Sequence, residues 1–317
     1  MIELRPLTRA DAVRVRGLIN RSEAHDAIPR RLSQIEFDEE FDEPNYDSLT
    51  DARVALVDGE LAGWCRIWHS PSGELLERAY LFGAVDPAFR RRGVGRTMLQ
   101  WSHDLAIERL SAIDNDLPKY VRVNAYDFLE SAQRLFHRFG FVPVRWFEQL
   151  LRPLDSIPEP IAPKGIRIIP FSAGRAEAVR AVKNAAFADH WGSTPTGQAS
   201  WETIYFGHGA RPDLSFLAEE IATGQIVAYC LNHCYPEDDD LLGRGDCIID
   251  NLGTIRGWRG RGLASTLINT SLQAFAAEGR THAMIEVDGD SPTGASRLYR
   301  SLGFEPLHRL VTSQIQL

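Results

Sequence analysis

The sequence predicts a mixed α/β fold built twice in tandem. Three observations carry this: a repeat at nearly one offset, a proline-rich break between the copies, and the same order of strands and helices in each. The first copy opens Ile2-Glu3-Leu4-Arg5-Pro6 and the second Ile166-Arg167-Ile168-Ile169-Pro170. Ala12-Val13-Arg14 returns as Ala178-Val179-Arg180, Arg90-Arg91-Arg92-Gly93-Val94-Gly95 as Arg259-Gly260-Arg261-Gly262-Leu263-Ala264, and Phe139-Gly140-Phe141 as Leu302-Gly303-Phe304. The offsets, 164, 166, 169 and 163 residues, keep one order, as a tandem duplication would. Pro153, Pro158, Pro160 and Pro163 crowd the join. Prolines at that density prevent helix and disfavour a central strand, so residues 153–164 read as an extended linker between modules at 1–152 and 165–317.

Each module begins with a short strand (Ile2–Leu4; Ile166–Ile169) that leads into helices. Two strands joined by a Gly-containing turn follow, at Arg53–Val57 and Leu61–Trp68, and at Leu214–Glu219 and Ile226–His233. Next comes an apolar strand, Ala79–Val85 or Cys247–Leu252, and a Gly-rich turn that opens a long helix. In the second copy Leu263, Leu267, Ile268, Leu272 and Phe275 recur at helical spacing, and Gly279 stops the helix. A strand (Val121–Asn124; Ala283–Val287), a helix ending in Phe-Gly-Phe or Leu-Gly-Phe, and a final strand complete each copy.

The 317 residues suit two domains of roughly 100–150 residues each. With 44% apolar and 25% charged residues the chain is globular rather than disordered. No run approaches the roughly 18 uncharged apolar residues of a spanning helix, so no membrane partner is expected. The start lacks a basic stretch followed by an apolar one, which predicts a cytoplasmic enzyme. A net charge of −8 argues against nucleic acid as a partner and suits a cationic substrate such as an amine. Cys65, Cys230, Cys234 and Cys247 give no disulfide framework. Cys230, His233 and Cys234 lack a fourth ligand at any usual zinc spacing, so no metal is expected and small buried thiols are the simpler reading.

The turns after the fourth strands carry the chemistry. Glycines let backbone N–H groups approach a ligand closely, and the following helix points its positive end at the same place. Such a cradle suits phosphate or pyrophosphate. A nucleoside triphosphate would require Gly-x-x-x-x-Gly-Lys-Ser/Thr, which neither turn contains. A dinucleotide would require Gly-x-Gly-x-x-Gly in the first βα unit, whereas these turns follow several strands. Coenzyme A, with its diphosphate and long pantetheine arm, remains.

The order of elements and these motifs resemble the GNAT superfamily of acyl-CoA-dependent N-acyltransferases, over nearly the whole chain and as two consecutive modules. The family signature, Arg/Gln-x-x-Gly-x-Gly/Ala, is matched by Arg90 to Gly95 and by Arg259 to Ala264. The resemblance implies, for each module, a mixed and mostly antiparallel sheet flanked by helices, with acetyl-CoA as the acyl donor. It places the phosphates on Arg259, Gly260, Arg261, Gly262, Leu263, Ala264 and Ser265, and on Arg90, Arg91, Arg92, Gly93, Val94, Gly95 and Arg96 in the first module. It lays the pantetheine arm along Leu252, Gly253 and Thr254, with Phe82, Gly83, Ala84 and Val85 as counterparts, and beside Ser291 and Ala295. Asp290-Ser291-Pro292 stands where the family often has Asp-Asn-Pro, a looser match.

Acyl transfer from a thioester to an amine requires a base for the amine and a proton for the thiolate. A phenol near roughly 10 and a thiol near roughly 8.5 are close enough to share that proton. The family's acid is a tyrosine of the last helix, which here is Tyr299; the first module has Phe136 at the matching place. Catalysis is therefore expected in the second module, the first being a degenerate copy. Asp250 is the leading candidate for the base, with Glu286, Glu219 and Glu220 as others. Asp189, His190 and Trp191, followed by Trp201 and Tyr205, are candidates for holding the acceptor, although a Trp pair is equally ordinary helix packing. The expected reaction is direct transfer of acetyl from acetyl-CoA to a primary amine of a small molecule. An antibiotic- or peptide-modifying acetyltransferase and a non-catalytic acyl-CoA sensor are the alternatives.

Overall fold

A computed structural model describes residues 1–317 apart from 44–45, 70–72, 189 and 291–293, and apart from the side chains of Ala199, Thr203 and Ile204. Asp189 and Ser291, named above, lie outside the described residues. The chain forms two compact units: Met1–Trp146 with Leu310–Leu317, and Phe147–Arg309. Among the described residues no helix is long and apolar enough to cross a membrane.

The first unit runs β1 (Ile2–Pro6), α1 (Ala12–His25), α2 (Gln34–Glu40), α3 (Ser48–Asp51), β2 (Ala52–Val57), β3 (Glu60–His69), β4 (Glu77–Val85), α4 (Val94–Ser111), β5 (Lys119–Tyr126), α5 (Glu130–Arg138) and the start of β6 (Val142–Pro153). Neighbouring strands β1 to β4 are antiparallel, and β4 pairs with β5 in parallel. Apolar residues alternate on these strands, so one face packs Ile67, Leu81, Val121 and Val123 under α4. The other buries Trp64 and Val54 beneath α1 and α2.

The second unit repeats this order with β7 (Ile166–Pro170), α6 (Ala176–Ala186), α7 (Gln198–Phe206), β8 (Phe216–Glu220), β9 (Ile226–Cys234), α8 (Asp239–Leu242), β10 (Asp246–Thr254), α9 (Leu263–Ala277), β11 (His282–Asp288), α10 (Ala295–Ser301) and β12 (Glu305–Gln316). The helical periodicity of α9 is borne out: Leu263, Leu267, Ile268, Leu272 and Phe275 are all buried against the sheet. Gly279 follows the helix at φ +76°, a left-handed stop.

The last strands depart from the expected plan. In the first unit the partner of β5 is the end of β12, from Leu310↔Tyr126 to Gln316↔Tyr120. In the second unit the partner of β11 is the end of β6, from His282↔Pro153 to Asp288↔Phe147. Each unit is closed by a strand from the other copy, so the compact units do not coincide with modules cut at 152 and 165. Both strands offer the same antiparallel hydrogen-bonding edge, which sequence alone does not distinguish. Polar pairs fit the observed exchange: Thr312 donates to Asn124 Oδ1 (2.8 Å), and Arg122 to Gln314 Oε1 (3.1 Å).

Beyond Pro153, the last residue of β6, the proline-rich segment has no regular structure, but it is docked on the second unit. Leu154 N–H donates to Thr281 O, and Thr266 Oγ1 donates to Ile161 O.

The cysteine expectation needs one correction. Cys234 and Cys247 form a disulfide, with Cα atoms 4.5 Å apart. Antiparallel register sets Cys247 directly opposite Cys234, a proximity that their 13-residue separation conceals. Cys65 and Cys230 are free and buried, as expected.

Candidate active site

The two Gly-rich turns have the same backbone. Gly262 precedes α9 at φ +81° and Gly93 precedes α4 at φ +89°, both left-handed and neither helix start capped by a side chain. Two residues earlier Gly260 (φ +73°) and Arg91 (φ +62°) are left-handed as well. Successive turned N–H groups make an anion-binding concavity, and the uncapped helix start adds its positive end. Space outside the second turn is open: a Cβ added at Gly260 or Gly262 would meet nothing within 4 Å. Leu263 and Val94 turn their side chains into the core and offer only backbone.

The arginine opening each turn is engaged within the protein. Arg259 donates to Thr254 O (3.1 Å) and Ala186 O (2.8 Å), tying the strand end to the end of α6. Arg90 donates to Asp26 and Ser22 at the end of α1. These guanidinium groups shape the turn, and only their backbone faces the cradle. The arginine at the third position of each turn is exposed, Arg261 lying over Trp258 and Arg92 over Phe89.

Beside each turn the sheet splays. The β10–β11 ladder stops at Ile249↔Ile285, so Asn251–Thr254 are paired only with β9 and Asp250 with neither neighbour. The β4–β5 ladder stops at Leu81↔Val123, freeing Phe82–Val85. Each stretch is an open strand edge next to an anion cradle, a geometry that fits a diphosphate carrying an extended amide-bearing arm. Ala295 opens α10 and packs against the core on this side.

The units differ at the strand itself. In β10 the register slips between Ile249 and Asn251, so Asp250 is a bulged residue. The slip turns Asn251 and Gly253 toward Tyr229 and sends Leu252 into the core, because a one-residue shift exchanges the faces of every later side chain. Tyr229 donates to Asn251 Oδ1, and its ring lies so close beneath Gly253 that a Cβ there would fall 2.6 Å from Cε1. Only glycine fits. The β3–β4 ladder of the first unit is regular, and the same offset lands on Leu81, a core residue.

Asp250 stands on β10, between β9 and β11, and β11 is followed in the sheet by the end of β6. Its side chain is 41% exposed. Burial raises its carboxyl above the usual aspartate range, and His233, 3.9 Å away, opposes that rise. Glu286 on β11 accepts from Gln149 (3.3 Å) and is raised first by burial and also by the charge of Asp250. Asp288, on the same strand, is 4.0 Å from His190 Nε2, and Trp191 packs near Phe147 at 6.4 Å between ring centres. His190 and Trp191 therefore lie beside β11 and the end of β6. Trp201 is buried and packs on Tyr205, the ordinary helix-packing reading. Glu219 is away from the site, held by Arg167 and Arg175, and Glu220 accepts from Thr223. Tyr299 on α10 is buried among Cys230, Phe304 and α9 residues, and burial raises its phenol above the ordinary range.

Residues 50–143 match the family model described as an acetyltransferase (GNAT) domain, and residues 178–304 match the acetyltransferase (GNAT) family. A mycothiol acetyltransferase of Thermobispora bispora is 32% identical over 271 residues, covering 82% of each chain. The chain belongs to the GNAT family. It is an acyl-CoA-dependent N-acetyltransferase, with acetyl-CoA as its donor. A second GNAT relative, the mycothiol acetyltransferase of Gordonia bronchialis, is 31% identical over 281 residues, 81% of this chain and 82% of the relative. Among solved structures, a GCN5-related N-acetyltransferase from Sphaerobacter thermophilus superposes with a TM-score of 0.78 at 26% identity, over 99% of this chain and 95% of that one. A tandem GNAT protein from the clavulanic acid biosynthesis pathway shares the fold, with a TM-score of 0.74 at 18% identity over 100% and 98% of the chains.

Sequence reasoning missed His233 as a neighbour of Asp250, and missed the bulge. The available signal was the pair Asp250-Asn251 in an otherwise apolar strand.

Proposed function

We propose that the second unit acetylates a primary amine of a small molecule by direct attack, with Asp250 as general base and Tyr299 as the proton donor to sulfur. The observation that carries this reading is the bulge of β10, which sets a raised carboxylate near Glu286, beside an open strand edge and a glycine-rich turn of anion-binding shape. Bound acetyl-CoA supplies the acetyl group as a thioester. The turn from Arg259 to Ser265 holds the phosphates through backbone N–H groups, with the exposed Arg261 beside them. Leu252 to Thr254 pair with the arm.

An amine arrives as ammonium, because its pKa is near roughly 10. Asp250, Glu286 and Asp288 make the site attractive to that cation. Asp250 then takes the proton at its carboxylate, and its raised pKa makes it a stronger base than an ordinary aspartate. Tyr299 stays protonated at working pH because burial disfavours the phenolate, so its Oη–H is available to the sulfur that leaves. The first unit has Leu81 and Phe136 at the two positions. It keeps the cradle, and we assign it acetyl-CoA binding without turnover. The acceptor is of the small-molecule class for which the mycothiol acetyltransferase relatives are named.

The test is thiol release from acetyl-CoA with a panel of amines. Tyr299→Phe lowers kcat by about 100-fold or more while acetyl-CoA affinity holds, the scale of a lost proton donor. Turnover within twofold of the parent chain would remove Tyr299 from this role.

A further inference from the structure

His233 stands out among buried polar groups that the reaction as described leaves unused. It is 5% exposed, on β9 opposite Ile248, and its Nδ1 lies 3.9 Å from Asp250 Oδ2. Its ring is nearly parallel to Tyr235 at 6.2 Å and lies 6.4 Å from Tyr205. Its backbone bridges to Ala210, and the next residue, Cys234, donates to Gly209 O (2.8 Å) and is covalently tied to Cys247. The imidazole is therefore held from several directions. Asp250 is not: as the bulged residue it has no partner in the β9 ladder.

We infer that His233 is the positioning residue for Asp250, fixing the carboxylate toward the acceptor amine from the adjacent strand. This rests on the reading of Asp250 as base. A separation of 3.9 Å is too long for a hydrogen bond, but such contacts commonly tighten when substrate fills a site. His233 also opposes the effect of burial on Asp250, keeping the carboxylate ionised at lower pH. The other titratable groups facing the pair are Tyr205 from α7, Tyr229 on β9, Tyr235 after it and Glu286 from β11. Lys183 on α6 donates instead to Thr196.

The experiment uses the full chain and reads kcat, both KM values and the pH profile for His233→Phe, His233→Asn, His233→Gln and Asp250→Asn, with folding checked by circular dichroism. His233→Phe is expected to lower kcat about tenfold, less than loss of the base itself, and to move the acid limb of kcat up by about one unit, with the acetyl-CoA KM unchanged. Asparagine places an amide donor near the Nδ1 position and glutamine near Nε2, so His233→Asn recovers most of kcat and His233→Gln does not. An unmoved acid limb in folded His233→Phe overturns the inference. So do equal rates for the Asn and Gln variants, a comparison that decides if the Phe variant fails to fold. Asp250→Asn separates the two levels. If it turns over normally, Asp250 is not the base; if it is inactive while the His233 variants keep the parent profile, only the role of His233 falls.

Discussion

The two units carry the same turn and the same splayed strands, yet among the described residues only the second sets a bulged carboxylate beside them. The first unit meets the cradle with Arg91 in a left-handed conformation, where the second uses Gly260. On the equivalent strand the first unit has an unbroken ladder and a core leucine; the second has a bulge and an exposed carboxylate. In the first unit the strand matching His233's supplies Arg66, buried between Glu40 and Glu43 at 2.9 Å each and stacked on Tyr46. The shape of the turn thus depends on the backbone and survives many substitutions, whereas the proposed chemistry rests on two or three side chains and one slipped register.

The comparison can be broken or sharpened in four further ways. The largest effect is on stability. Arg66→Ala leaves Glu40 and Glu43 facing each other in a site where burial already raises Glu40. It should cost the first unit about 3 kcal/mol, read by denaturant melts, with kcat at low temperature unchanged. An equal loss of kcat would mean that the first unit contributes to chemistry. Second, Gly262→Val forces a branched side chain into a left-handed position and should weaken acetyl-CoA binding by tenfold or more, with turnover falling in step. Gly93→Val should remove one of two binding events in calorimetry while turnover continues; a single event in the parent chain would show the first cradle to be empty.

Third, Asp250 has a raised pKa in the fold, so its contribution to stability is present below the unfolded value of about 3.9 and is lost as pH rises through the folded value. Asp250→Asn should therefore melt higher than the parent at neutral pH, with the gap closing in acid. A lower melting temperature across the range would contradict the raised pKa of that carboxylate. Fourth, Arg91→Gly relieves a left-handed arginine and should stabilise the first unit by about 0.5–1 kcal/mol, the sterics outweighing the added chain entropy. A comparable loss would show that Arg91 makes contacts worth more than its strain.

Much of this was legible in advance. Apolar spacing located α9 and the strand cores, and glycines marked the turns, since only local geometry is needed to read them. Asp250 was singled out by its place on the fourth strand, and Tyr299 by what the family resemblance implies for the last helix. His233 was not, because its relation to Asp250 depends on neighbouring strands and a slipped ladder. Glu219 lost its candidacy for the same kind of reason: Arg167 sits opposite it on β7, and Arg175 closes over it.

The sequence by itself determined the duplication, the alternation of strands and helices, the two anion cradles and the asymmetry between Tyr299 and Phe136. These follow from propensity, periodicity and residue identity, which act over a few neighbouring positions. Only tertiary structure decided that the closing strands are exchanged, that Cys234 meets Cys247, and that β10 slips at Asp250. Each of those is a choice of partner and register between strands, and the competing pairings offer nearly the same backbone hydrogen bonds. The choice is made by how side chains pack once the whole sheet is assembled.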